Sequence, residues 1–82
     1  MGFYIVGIHA KNRLVQAEKV QALLSEYGCS IRTRLGLHHV TDGVCPLEGV
    51  IVLELFGDRA TCDELYEKLR SIENLEVQRM LF

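Results

Sequence analysis

The chain has 82 residues, of which 49% are hydrophobic and 24% are charged, and its formal net charge is −2. This length suffices for one domain, residues 1–82, that would bury about 60% of the surface exposed by the unfolded chain. The apolar content excludes a disordered chain. The slightly negative charge gives no attraction to phosphate backbones or anionic membranes, so direct nucleic-acid binding is not expected.

The sequence carries neither a membrane-spanning segment nor a secretion signal. No apolar run approaches the roughly 20 residues that a membrane-spanning helix needs, and the N-terminus lacks a charged segment followed by an apolar one. Cys29, Cys45 and Cys62 form no CxxC pair, which argues against a disulfide framework or a zinc ribbon. We therefore expect a cytoplasmic protein with reduced thiols and no membrane partner.

The first predicted elements are a strand and a helix. Phe3–Ala10 (FYIVGIHA) is apolar on both alternating faces, which is typical of a strand covered on both sides. Asn12 is placed to cap the following helix, and Gly28 is placed to end it in a left-handed conformation. The helix has an apolar stripe at three- and four-residue spacing, formed by Ala17, Val20, Leu23, Leu24 and Tyr27.

Two further strands follow, and a loop separates them. From Cys29 to Leu37 the residues alternate in the way that predicts a half-exposed strand. An Asp-Gly pair and the only proline mark a loop from about Val40 to Glu48. Val50–Phe56 (VIVLELF) is apolar at nearly every position, so we interpret it as a second central strand.

The last part of the chain predicts a helix and a fourth strand. Thr61 and Glu64 have the spacing of a capping box at the start of a helix. The apolar stripe of this helix consists of Cys62, Leu65, Tyr66, Leu69 and Ile72. Leu75–Leu81 then alternates as expected for an edge strand.

The predicted order of elements is βαββαβ. Two βαβ halves whose second and third strands are consecutive form the split βαβ arrangement of the ferredoxin-like sandwich. We therefore predict an α+β fold with an antiparallel sheet of order 4-1-3-2 and both helices on one face. The first and third strands are then central, which agrees with their continuous apolar character.

A sheet with both helices on one face leaves its other face uncovered. If Tyr4, Val6 and Ile8 face the helices, the opposite face carries an apolar set, namely Phe3, Ile5, Val50, Val52 and Phe56. A contiguous apolar patch of this size usually marks an interface. The sequence thus predicts a symmetric dimer or higher homo-oligomer that uses this face or the sheet edges.

The whole chain resembles a known family. The segments FYIVGIHA, ALLSEYG, IRTRLGLHHV and VIVLELFGD are similar to those of the iron-only hydrogenase system regulator family. Its members are small ACT-like ferredoxin-fold proteins, similar in architecture to the ligand-binding domain of nickel-responsive transcriptional regulators. The resemblance implies an oligomeric sensing domain without catalytic activity, although a shared fold does not by itself specify the ligand.

The same resemblance implies candidate metal ligands. In nickel-responsive regulators the metal is bound between subunits by histidines and a cysteine. His39 and Cys45 are spaced like the final histidine and cysteine of that motif, and His9 is a further candidate donor. Imidazole and thiolate suit nickel or zinc. Leu37 replaces the preceding histidine of the motif, and these residues also fit a polar strand end followed by a solvated loop.

Four residues are candidates for a small-ligand site. Arg32 and Arg34 would share one face of a strand and bind a carboxylate, but charged residues also protect edge strands from aggregation. By resemblance, Asn12 lies in the strand-to-helix loop where ACT-like domains bind amino-acid effectors, and it equally suits a helix cap. His38 neighbours His39 and would point to the opposite face of a strand.

Nothing in the sequence favours an enzyme. GxSxG, P-loop, HExxH and GxGxxG patterns are absent, so no catalytic residue is predicted; a weaker reading gives His9 or His38 an acid–base role. We interpret the chain as a non-enzymatic, oligomeric regulatory domain that binds a small ligand or a transition metal near a subunit interface. The alternative is a structural protein–protein interaction module that assembles through its open sheet face.

Overall fold

Four strands and two α-helices form the described part of the chain. The computed structural model describes residues 2–37 and 48–82, with every side chain except those at positions 13 and 14. The elements in chain order are β1 (Tyr4–Ala10), α1 (Arg13–Glu26), β2 (Ile31–Leu37), β3 (Gly49–Leu55), α2 (Arg59–Arg70) and β4 (Leu75–Leu81). A short 3-10 helix, Gly28–Ser30, joins α1 to β2. In these two ranges, no helix is long and apolar enough to cross a membrane.

The four strands form one antiparallel sheet. Its order is β2-β3-β1-β4, with β1 paired to both β3 and β4 and with β2 paired to β3. The strands predicted to be central are therefore central, because each has a neighbour on both sides. The predicted α+β, ferredoxin-like βαββαβ fold with an antiparallel sheet of order 4-1-3-2 is confirmed.

One hydrophobic core lies between the sheet and the two helices. In β1 the residues at alternate positions, Tyr4, Val6 and Ile8, are almost completely buried. They pack in one cluster with residues of both helices and of β3, namely Val20, Leu24, Tyr27, Leu53, Leu55, Cys62, Leu65, Tyr66 and Leu69. Both helices consequently cover the same face of the sheet, as the sequence pattern predicts.

The phenol of Tyr4 has polar partners at the edge of this core. Its hydroxyl donates to Asp63 Oδ1 over 2.6 Å and accepts from Arg79 Nη1 over 3.0 Å. The hydrogen bond from Tyr4 is the main reason that the pKa of Asp63 lies below its usual value, and Arg59 acts in the same direction. This cluster links β1, α2 and β4 and leaves the buried hydroxyl satisfied.

The helix ends differ from the predictions. The N-cap of α2 is Asp58, whose carboxylate accepts from the backbone N of Thr61 over 3.2 Å and from its Oγ1 over 3.0 Å, so the helix begins before the predicted capping box. The left-handed end at Gly28 is also wrong. That residue begins the 3-10 helix, and among the described glycines only Gly57 has a positive φ, of 95°.

The buried stripe of α1 is also displaced from the predicted one. Val20, Leu24 and Tyr27 are buried as predicted. Ala17, however, is exposed, and Gln16 is buried with only 5% of its surface accessible. A polar side chain therefore occupies the position in the first half of the helix where the pattern predicts an apolar one.

Candidate functional site

The face of the sheet opposite the helices is largely apolar and uncovered. This surface is named here the open face, and its apolar residues are Phe3, Ile5, Leu35, Leu37, Val50, Val52, Phe56, Met80 and Phe82. Several are strongly exposed, including Phe3 at 54%, Leu35 at 53% and Phe82 at 71%. The apolar set predicted for this face from the sequence lies there, and β2 and β4 enlarge it.

An ion pair with a shared acceptor borders the open face. Arg32 Nη1 lies 3.6 Å from Glu54 Oε2, and Thr33 Oγ1 donates to Glu54 Oε1 over 2.9 Å. The guanidinium of Arg32 also stacks 4.7 Å from the centre of the Phe56 ring. The carboxylate of Glu54 thus has partners within its own chain, so covering this face would not leave it as an isolated charge.

The prediction that Arg32 and Arg34 share one face is wrong. A register shift between Ile31 and Thr33 adds a residue to β2 relative to β3, which is the geometry of a β-bulge. Because of this extra residue, Arg32 reaches Glu54 on the open face, whereas Arg34 Nη1 donates to Gln21 Oε1 of α1 over 3.0 Å. The two guanidinium groups lie on opposite sides of the sheet and do not form one anion site.

His9 lies on the open face between two carboxylates. Its Nε2 is 2.7 Å from Glu48 Oε2, and its Nδ1 is 3.0 Å from Glu76 Oε1. The hydrogen bonds to Glu48 and then Glu76 raise the pKa of His9 above its usual value, and the bond from His9 lowers the pKa of Glu76. Since both ring nitrogens face acceptors, the arrangement stabilises the doubly protonated imidazolium.

His9 is the one candidate metal ligand that lies among the described residues. A histidine ligand offers a free lone pair to the metal, whereas the carboxylates beside His9 favour protonation of both its nitrogens. Within residues 2–37 and 48–82, no group of three or more His, Cys, Asp or Glu side chains is placed to hold a metal ion. His38, His39 and Cys45 lie outside the described residues, so the metal site remains a prediction from the sequence.

Asn12 lies in a groove between two turns. The groove has a volume of about 400 Å³ and is bordered by the turn from β1 to α1 and by the turn from α2 to β4. Its polar side chains include Lys11, Lys19 and Glu73 as well as Asn12. The backbone O of Asn12 accepts from the N–H groups of Val15 and Gln16 in the first turn of α1, so this residue joins the groove to the start of the helix.

Gln16 is the residue of interest that sequence reasoning missed. Its Nε2 donates to the backbone O of Glu73 over 3.0 Å, while its buried Oε1 has no hydrogen-bond partner in the described part of the chain. The signal was present, because Gln16 precedes Val20 by four residues and so belongs to the same helical stripe. A polar residue at such a position needs a partner or carries a cost.

The two described cysteines are free thiols. Cys29 is exposed and Cys62 is buried. Burial raises the pKa of the Cys62 thiol, whose Sγ lies 3.5 Å from the backbone O of Phe56. A protonated, buried thiol is a poor nucleophile.

Comparison with solved structures finds two informative matches. An uncharacterized protein from Thermotoga maritima is 28% identical, with a TM-score of 0.78 over 95% of this chain and 92% of that one. A formyltetrahydrofolate deformylase from Pseudomonas putida is 15% identical, with a TM-score of 0.58 over 98% of this chain and 29% of the enzyme. The second likeness shows the fold alone. No protein-family model and no curated protein matches the sequence.

Proposed function

We propose that this chain is a non-enzymatic regulatory domain of the ACT-like type that self-associates through its open face and binds a small ligand. In this role it would act like the iron-only hydrogenase system regulators that it resembles. The observation that carries the proposal is the extent of the open face, where large apolar side chains of all four strands or their ends are exposed together.

The energetics of burial favour association through this face. Fully burying one large apolar side chain contributes about 1.5–3 kcal/mol, and a domain of 82 residues has limited core of its own. The charged groups on this face are already paired, Glu54 with Arg32 and His9 with Glu48 and Glu76. A second copy could therefore cover the face without isolating a charge, the main penalty for burying ionised groups.

The groove beside Asn12 is the proposed effector site. Its ammonium groups on Lys11 and Lys19 and its carboxylate on Glu73 suit a small ligand that carries both an acidic and a basic group. Lys11 directly follows β1, the strand that runs through the middle of the sheet. A ligand held there would be coupled through one short strand to the proposed interface.

Light scattering of paired variants tests the proposal. Leu35→Glu places a charge among the exposed apolar side chains of the open face, on the edge strand β2, and it should convert the oligomer to a monomer at micromolar concentration. Ala22→Glu, at an exposed position of α1, adds the same charge on the helix side and should leave the oligomer intact. Equal masses for the two variants would overturn the proposed interface, provided that circular dichroism shows both to be folded.

A further inference from the structure

A separate cavity lies on the helix side of the sheet, beneath the first half of α1. Its volume is about 290 Å³, close to the lower limit of about 300 Å³ for small-molecule pockets. The apolar side chains of Ile8, Val20 and Ile51 line it, together with Ala17 and Gly36. Its lining also includes Leu37 and Val50, two residues of the open face at one end of the sheet.

Small residues keep this cavity open. Gly36, in the interior of β2, pairs with Ile51 and therefore faces the helices. A Cβ atom added at Gly36 would meet no heavy atom within 4 Å. Glycine in a strand interior costs about 0.5–1 kcal/mol relative to alanine, so packing gives no reason for glycine here. The empty space depends on the small residue at position 36, and a larger side chain there would fill it.

A residue that lines the cavity carries an unsatisfied acceptor. Gln16 borders both this cavity and the groove beside Asn12, and its Nε2 donates to the backbone O of Glu73. The Oε1 atom is therefore the group left over, buried and without a partner among the described residues. Leaving such a group unpaired costs about 1–3 kcal/mol. A bound N–H or O–H group would remove this cost once the Gln16 side chain turned its Oε1 atom toward the cavity.

The lining also limits the charge of a ligand. Among the described residues that line the cavity, none is charged. Arg34 is hydrogen-bonded to the lining residue Gln21. An ionised ligand would lose its hydration without gaining a counter-charge, which is strongly unfavourable. This chemistry differs from that of the groove beside Asn12.

We propose that the cavity beneath α1 binds a neutral, largely apolar small molecule whose single N–H or O–H group donates to Gln16 Oε1. The ligand class is a compact ring or branched chain with one donor, of which indole is the simplest probe. The probe 1-methylindole keeps the ring, removes its donor and adds one methyl group at the same position.

A titration of the nitrogen-labelled wild-type chain, followed in proton–nitrogen correlation NMR spectra, provides the first test. Indole should shift the amide signals of Ala17, Gly36 and Ile51 in a saturable manner. Methylation of the indole nitrogen should weaken binding by about tenfold, the factor that corresponds to loss of one hydrogen bond to a buried acceptor. Absence of saturable shifts at these amides, or equal affinity for both probes, would overturn the proposal.

Two filling variants complete the test. Gly36→Val should abolish indole binding while keeping or raising the melting temperature, because valine suits a strand and meets open space. Ala17→Trp should also block the cavity, whereas Ala22→Trp, at an exposed position of the same helix, should bind indole like the wild type. Unchanged indole affinity in Gly36→Val would overturn the assignment, even if Ala17→Trp failed to fold.

Discussion

At the residue scale, the pairing of His9 with Glu48 and Glu76 places a titratable group on the open face. Both carboxylates lie within 3.0 Å of a ring nitrogen, and they raise the pKa of the imidazole above its ordinary value of about 6.5. The folded chain therefore binds this proton more tightly than the unfolded chain. Proton binding and folding are consequently linked.

This linkage predicts a pH-dependent stability difference between the wild type and His9→Gln. The contribution of His9 is fully present below about pH 6.5 and is lost as the pH rises through the higher pKa of the folded state. The wild type should thus lose its advantage in melting temperature as the pH rises from about 6.5 through the raised pKa of the folded state. A difference that stays constant over this range would show that the two carboxylates do not hold the proton.

Side-chain direction was the part of the site that the sequence could not supply. Simple alternation placed Arg32 and Arg34 together, but one extra residue in β2 reverses the face of everything before it. The residue between Ile31 and Thr33 is not of a type that predicts a β-bulge. The pairing of His9 with Glu76 likewise depends on the register of β1 against β4, which cannot be read from either strand alone.

At the element scale, the positions of strands and helices followed from periodicity, while their ends followed from local hydrogen bonds. The predicted strand Leu75–Leu81 has those bounds in the structure. The start of α2 was misplaced because the Thr61 and Glu64 spacing resembles a capping box, whereas the carboxylate of Asp58 is the acceptor for the Thr61 N–H. Asp58 and Thr61 were both suitable N-cap residues for α2, and spacing alone could not decide between them.

Substitution at Asp58 distinguishes the two caps. Asp58→Ala removes the acceptor for the Thr61 N–H and should lower the free energy of unfolding by about 1 kcal/mol. Asp58→Asn keeps an acceptor oxygen and should change stability little. Urea denaturation measures both variants. If Asp58→Ala unfolds at the wild-type urea midpoint, the cap at this residue contributes nothing.

At the scale of the whole molecule, the topology was predictable because two separate signals agreed. The order of elements indicated a split βαβ arrangement, and the two most continuously apolar segments became the central strands β1 and β3. The exposed set on the open face follows from the same arrangement, since both helices cover the other side. The cavity beneath α1 was not predictable, because it depends on how far the helix stands from the sheet.

Sedimentation equilibrium of the wild-type chain tests the central claim most directly. Association through the open face predicts a mass of twice the 9.3 kDa chain, or a higher multiple, at micromolar concentration. A mass that stays at 9.3 kDa throughout the micromolar range would contradict it.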